Sequence, residues 1–475
     1  MKYYYIPHNL DLDKLVHENY PKFKPFKKQK LAYILSLLNK LRISNKDLLF
    51  DSYTPLNAQL LQEYVKNYKD YLNYLINDLK IVETDNQYIS GKKSRGYRFI
   101  CTYQTMVKPY KVTDWTMRKK MKIEENKALF SVEKLNYLTK WFNDGLDIDF
   151  NKCHTFLKRE FKIKNRCPEL RDYDVIKKKY KIPLNQLNRS LIAVNTIDIK
   201  SFFLKRDDNV NRFHSNLTNL NSQLRNAITY KGEPLISIDI TNSQPYLSTL
   251  LFNKEFWQKK SQVYKSNITT TNDYITISKL LNNYFYYIML GETSVSTDVK
   301  GFEKYIDLVR SGLLYEYLQK QFKNQLKVDY ASRKHVKTAV FQTLFTGNTF
   351  IGQKEAAPKK IFAELFPEVY EVFKQIKKKD KTLLPRLLQS IESYLIIDVI
   401  CKRIGKELPE APIFTIHDSI ATTKVYVEAI QQIMLEECTK AIGFAPKLTI
   451  EKWEKEKMDE YLIELKNKTI GNEVA

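Results

Sequence analysis

The sequence has little of what disulfide-linked, zinc-stapled or flexibly linked proteins contain. Among its 475 residues are five cysteines, none in a Cys-x-x-Cys pair, and six histidines. A disulfide framework or structural zinc site is therefore not expected, and a reducing compartment fits. The N-terminal segment is too polar for a signal peptide, and no apolar run reaches the roughly 18 residues of a membrane span. We expect a soluble, cytoplasmic protein with no membrane contact.

Flexible linkers are also missing, because the chain has only 12 glycines and no Ser/Gly-rich tract. Domains joined by helices are expected instead. The 43% apolar and 13% aromatic content is that of a folded protein, and the length predicts two or more domains.

Basic residues are in excess. The 78 Lys and Arg against 54 Asp and Glu leave a net charge of +24, which favours encounter with a polyanion. A composition rich in lysine and asparagine accounts for the same excess without any such partner.

Residues 1–105 are predicted to form a separate unit. Helices are expected over 27–41 and 56–80, and two strands over 81–103 around a basic loop. This order resembles a winged helix-turn-helix, a DNA-binding unit. Its alternative is a small helical domain with an ordinary hairpin. The wing residues would be Lys92, Lys93, Arg95 and Arg98.

The rest of the chain divides by pattern. Residues 106–200 predict a basic helical connector, whose charges suit a duplex or simply a solvated surface. Short strands alternate with long helices over 201–455, an α+β pattern. Residues 456–475 predict a charged C-terminal helix or tail.

Two strand-like runs each place an aspartate where the apolar stretch ends. Asp239 lies within LISIDITNSQP (235–245), and Asp418 within PIFTIHDSIATT (412–423). A carboxylate at the end of a buried strand is costly unless it is paired or binds a metal. Two such groups brought together can hold two divalent ions for phosphoryl transfer. Structural aspartates, or a phosphohydrolase, are the alternatives.

A helix is predicted over RKHVKTAVFQTLFTG (333–347). Arg333, Lys337, Phe341 and Phe345 recur every fourth position and share one helical face. Cations there suit a triphosphate, and the aromatics offer a flat surface for a base. A purely structural core helix would not prefer cations in that row.

In this order the segments resemble motifs A, B and C of family A DNA polymerases and the single-subunit phage-type RNA polymerases. The resemblance covers roughly 201–455. It implies a primer or template contact for Arg212 and for His417. It also matches Gln389 and Glu392 to the Gln and Glu of the helix before motif C, and it implies a nucleic-acid contact for Gln389.

Several positions depart from the family pattern. Two extra residues follow Asp239, so either Gln244 or Tyr246 occupies the position that excludes or admits ribose. Thr346 separates Phe345 from Gly347, and Ser419 follows His417-Asp418 as in the RNA polymerases. Sugar choice stays open, with DNA synthesis favoured.

The resemblance implies a right-hand polymerase with palm, fingers and thumb. Asp239 and Asp418 would hold two Mg²⁺ ions, and Lys337 would act as a catalytic cation. DNA template and primer and nucleoside triphosphates would be the partners of a monomeric enzyme. The first 200 residues lack an acidic Asp-x-Glu set, so no proofreading exonuclease is expected.

The family also implies a phage or other mobile element as the source. The alternatives are a single-subunit RNA polymerase or primase-like enzyme, and a non-catalytic DNA-binding replication initiator.

Overall fold

The structure is a computed structural model that describes residues 2–45, 47–89, 91–174, 179–252, 300–326, 333–353 and 356–472. Long helices and short antiparallel strands alternate, which confirms the predicted α+β class. The palm, fingers and thumb, and the winged helix, stay predictions. Within the described ranges, no helix is long and apolar enough to cross a bilayer.

The N-terminal part has its own apolar core, which runs from Tyr4 to Met117 and so extends past residue 105. Its strands are β1 (Tyr3–Pro7), β2 (Thr54–Pro55), β3 (Val82–Thr84), β4 (Gly96–Phe99) and β5 (Val107–Lys111). Its helices are α1 (Leu12–Glu18), α2 (Lys28–Ser44), α3 (Ala58–Tyr64), α4 (Tyr68–Asn73) and α5 (Trp115–Phe130). Strand β1 pairs with β5, and β2, β4 and β3 form a second antiparallel sheet.

The single helix predicted over 56–80 was wrong. The chain forms α3, then an extended residue at Val65, then α4 and a π-helical turn at Tyr74–Asp78. Val65 is fully buried, and the Tyr71 hydroxyl accepts a hydrogen bond from the Lys27 amide at 2.7 Å. Two short helices keep the same apolar face toward the core as one long helix would.

The main part contains ten strands and fourteen helices among the described residues. The strands are β6 (Leu146–Ile148), β7 (Tyr173–Asp174), β8 (Lys179–Tyr180), β9 (Lys205–Arg206), β10 (Phe213–His214), β11 (Ile228–Tyr230), β12 (Glu233–Ile240), β13 (Phe414–Ile416), β14 (Ser419–Thr423) and β15 (Leu448–Lys452). The helices are α6 (Asn136–Thr139), α7 (Phe150–Arg166), α8 (Pro183–Asp198), α9 (Ser222–Arg225), α10 (Ser243–Ser248), α11 (Lys300–Arg310), α12 (Leu314–Leu326), α13 (Arg333–Phe345), α14 (Ala357–Leu365), α15 (Pro367–Ile376), α16 (Leu383–Ser393), α17 (Lys402–Glu407), α18 (Val427–Ile442) and α19 (Glu456–Asn472). A π-helical segment, Tyr394–Cys401, links α16 to α17.

The central sheet is antiparallel, with the order β13-β14-β12-β11-β6, and β15 also pairs with β12. Residues 235–238 and Ile240 of β12 are buried, because helices cover the strand and partners line both of its edges. A nearly continuous apolar run is what such a strand requires. Strand β12 is therefore a fixed frame for the residues at its end.

Both ends of the main part join this core. Helices α7 and α8 contribute Phe156 and Leu191, so much of 106–200 packs with the sheet. The C-terminal helix α19 contributes Met458 and Leu462 to the same core.

Candidate active site

The two predicted aspartates meet at one end of the central sheet. Strand β12 pairs with β14 so that Asp239 lies opposite Ser419, the residue after Asp418. The charge of Asp418 is close enough to raise the pKa of Asp239. Two acidic side chains that are distant in the chain thus occupy neighbouring strands.

Asp418 lies in the tight turn between β13 and β14. Ile416 pairs with Ser419, so the turn consists of His417 and Asp418 alone. His417 has a φ of +56°, a left-handed conformation that side chains with a Cβ adopt at a cost. The turn directs Asp418 to the edge of the sheet, and its strained residue is the histidine predicted to contact nucleic acid.

Burial and neighbouring charges of both signs act on the Asp239 carboxyl. Burial first, and then the Asp418 charge, raise the pKa of Asp239 to about 7. The Lys337 ammonium and the Arg225 guanidinium act in the opposite direction, while Glu451 adds to the repulsion. A charged Asp239 is therefore penalised by burial and by the Asp418 charge, and a cation bound to the two carboxylates would relieve their repulsion.

A second buried carboxylate lies behind the pair. Glu392 is 3% exposed and accepts from Arg212 Nε at 3.1 Å and from Arg212 Nη2. The Gln244 amide also donates to Glu392. Burial, and then Asp418, raise the pKa of Glu392 to about 7, against the Arg212 and Gln244 hydrogen bonds. Arg212 and Gln244, both predicted site residues, thus share one partner.

Helix α13 carries Lys337, Phe341 and Phe345 near this end of the central sheet. Lys337 is exposed, and its ammonium lies 5.5 Å from the centre of the Phe341 ring. The centres of the half-buried Phe341 and Phe345 rings are 5.1 Å apart. The Arg333 side chain lies outside the described residues.

Tyr246 does not join the site, which corrects its prediction as a sugar-contacting residue. Its ring is 1% exposed and packs edge-on against Phe444. The hydroxyl donates to the carbonyl oxygens of Phe444 at 2.7 Å and Cys438 at 3.2 Å. Asn242, at a φ of +58°, turns the chain into α10 so that Gln244 faces Glu392 and Tyr246 faces α18.

The four predicted wing residues differ in their positions and in their partners. Lys92 and Arg95 are exposed on the loop between β3 and β4. Lys93 is exposed there too but forms an ion pair with Asp85 at 3.5 Å. Arg98 lies on β4 and not in the loop, and it donates to Glu83 and to the Asp51 carbonyl oxygen; its contact with nucleic acid stays a prediction.

Gln389 lies half-buried on α16, one turn before Glu392. It stays a predicted contact.

Arg225 and Glu451 were missed by sequence reasoning. Arg225 ends a four-residue helix, and its buried Nε has no hydrogen-bond partner within the described residues. Glu451 lies on β15 and pairs with Ser237 of β12, so its side chain is on the same face of the sheet as Asp239. The one available signal was the alternation of side chains along β15. It puts Glu451 on the same face as Thr449, which pairs with Asp239.

The chemistry of the pair fits a divalent cation. Asp239 and Asp418 supply hard oxygen ligands, and their mutual repulsion is relieved by positive charge. Across the described ranges, no group of three or more His, Cys, Asp or Glu side chains is arranged to hold a metal ion. Two carboxylates alone need further oxygen ligands, such as those of a triphosphate.

No protein-family model and no curated protein matches the sequence. Among solved structures, the chain is similar to the POL domain of Pol1 from M. smegmatis in complex with DNA primer-template and dNTP. The two are 11% identical, with 69% of this chain and 70% of that chain covered and a TM-score of 0.34. The identity and the TM-score are too low to assign a family, so the function has to be inferred from the site residues.

Proposed function

We propose that the chain is a template-directed nucleic-acid polymerase, with DNA-dependent DNA synthesis as the favoured activity. The observation that carries this proposal is the pairing of Asp239 with the Asp418 turn, within electrostatic reach of Lys337 on α13. Two carboxylates and a facing lysine are what nucleotidyl transfer to a 3′-hydroxyl requires.

Each residue has a distinct task in this proposal. Asp239 and Asp418 would hold Mg²⁺, which when bound lowers the pKa of the 3′-hydroxyl and stabilises the leaving pyrophosphate. Lys337 neutralises triphosphate oxygens and is placed to give a proton to pyrophosphate, and Arg333 would supply a second cation. Phe341 and Phe345 offer a surface on which a base stacks.

Arg212, His417 and the basic loop of the N-terminal part would contact the nucleic acid. Arg212 is fixed by Glu392, so its guanidinium is pre-oriented for a primer or template group. His417 projects from the strained turn beside Asp418. The exposed Lys92 and Arg95 would contact phosphates of the bound duplex.

One observation keeps RNA synthesis as a second candidate. With Tyr246 in the core, no bulky aromatic from α10 blocks a ribose 2′-hydroxyl. Discrimination would then depend on Gln244, whose Nε2 is bound by Glu392 and whose Oε1 has no partner within the described residues. This oxygen is buried, so a ribose 2′-hydroxyl would reach it only after the Gln244 side chain turns toward the nucleotide, and a deoxyribose has no donor for it.

A four-way assay tests the proposal. Primed and unprimed DNA templates are each incubated with Mg²⁺ and either dNTPs or NTPs, and labelled product is resolved on a gel. We expect extension in at least one reaction and its loss in Asp418→Asn, with DNA binding retained. Asp208→Asn, an exposed loop carboxylate, is the matched control. DNA binding without incorporation in any reaction would instead indicate a non-catalytic initiator.

A further inference from the structure

Two lysines are buried beside the C-terminal end of helix α13. Lys359 on α14 is 0% exposed, and Lys377, directly after α15, is 3% exposed. Lysine is among the residues least often buried unless its charge is paired. The position of these two amines therefore requires an explanation.

Both amines donate hydrogen bonds to backbone oxygens at the end of α13. The Lys359 Nζ donates to the Gly347 oxygen at 2.9 Å and to the Thr346 oxygen at 3.3 Å. The Lys377 Nζ donates to the Thr343 oxygen at 2.8 Å and to the Thr346 oxygen at 3.1 Å. These are the carbonyls that a helix leaves unpaired at its negative end.

Carboxylates do not share this task. Within the described part of the chain, no acidic side chain forms an ion pair with Lys359 or Lys377, and no carboxylate contributes to the pKa shift of either amine. The Tyr370 ring lies under Lys359 at 5.9 Å. Burial lowers the pKa of Lys359 to about 8, and burial followed by the Lys359 charge lowers that of Lys377 to about 7. The helix end is thus the acceptor for both amines.

Stability alone does not account for this arrangement. Methionine side chains would occupy similar space without removing two amines from water. What the lysines add is a set of directional hydrogen bonds to three carbonyl oxygens, those of Thr343, Thr346 and Gly347, at one end of a helix. The same helix carries Lys337, which acts on Asp239.

We propose that Lys359 and Lys377 are positioning residues that clamp the C-terminal end of α13 and thereby keep Lys337 directed at the Asp239–Asp418 pair. The role rests on the proposed polymerase function, because Lys337 is there the cation that meets the incoming triphosphate. Neither lysine touches substrate. A loosened clamp lets the helix move and weakens nucleotide binding without affecting binding of DNA.

The test compares wild type with Lys377→Met, Lys377→Gln and the control Lys374→Met, which removes an exposed lysine from the same helix. Hydrogen–deuterium exchange over residues 336–347 reports on the clamp. Losing the amine donor should speed exchange about tenfold in Lys377→Met, with a smaller change in Lys377→Gln, which retains a donor. The KM for nucleotide should rise about fivefold or more in Lys377→Met, with DNA affinity unchanged.

Each result decides the matter. Exchange and KM equal to those of Lys374→Met would overturn the proposal. Faster exchange with unchanged KM would reduce the lysines to a structural role and also overturn it. A wild-type protein that incorporates no nucleotide would refute the polymerase function; unchanged exchange would then reject the clamp separately, and faster exchange would retain it as a hold on the helix.

Discussion

Replacing Asp239 by asparagine should stabilise the chain while abolishing its activity. Burial and the Asp418 charge raise the pKa of Asp239 to about 7, whereas an aspartate in an unfolded chain titrates near 3.9. The unfolded state releases this proton more readily, so stability falls as the pH rises from about 4 through about 7. Above that range the full penalty is present, and the neutral amide of asparagine removes it.

The size of the effect follows from the shift. About three pKa units correspond to roughly 4 kcal/mol, the upper bound for the gain. Solvent and counterions at the edge of the sheet screen part of the repulsion, so we expect about 2 kcal/mol at pH ~8 and little gain at pH ~4. Added Mg²⁺ should narrow the difference at pH ~8, because a cation that binds the folded aspartates stabilises only the wild type.

Urea unfolding without divalent cations measures this prediction. Trp453 is a suitable fluorescent probe, since it is 3% exposed and its amide donates to the Leu235 carbonyl of β12 at 2.9 Å. Asp208→Asn again serves as the control. A gain that is the same at both pH values, or no gain at all, would refute the reasoning that burial and Asp418 together penalise a charged Asp239 in the folded chain.

Two further variants examine the surrounding contacts. Tyr246→Phe should cost about 1 kcal/mol of stability by removing the hydroxyl that donates to the Phe444 and Cys438 carbonyl oxygens, and should leave the ratio of dNTP to NTP incorporation unchanged; an altered ratio would return Tyr246 to the site. Arg212→Met should cost about 3 kcal/mol in urea unfolding by leaving the buried Glu392 without its cationic partner, and most of that loss should be regained in the Arg212→Met, Glu392→Met double variant.

Sequence reasoning located the two aspartates because the end of a buried strand can be recognised from the residues around it. The apolar runs before Asp239 and Asp418 predicted two strands, and both are present as β12 and β13. The helix carrying Lys337 was equally readable from its four-residue spacing. That these segments share one site follows from strand pairing, which only the resemblance, and not the local pattern, predicted.

Other features depend on packing that periodicity does not encode. Residues 56–80 keep one apolar face whether they form one helix or two, so the interruption at Val65 was missed. Tyr246 and Gln244 lie two positions apart, and only the left-handed turn at Asn242 decides which of them faces Glu392. Lys359 and Lys377 resemble surface lysines in the sequence, because a buried lysine is defined by partners elsewhere in the chain.

The position of β15 has a consequence for biosynthesis. Strand β12 has β15 along one edge, and the segment from Thr241 to Lys447 separates the two strands in the chain. A ribosome must therefore translate that whole segment after β12 before this edge is covered and Glu451 reaches its place. Until then the β15 side of β12 is an open strand edge in the nascent polypeptide, which is a site for chaperone binding or for aggregation.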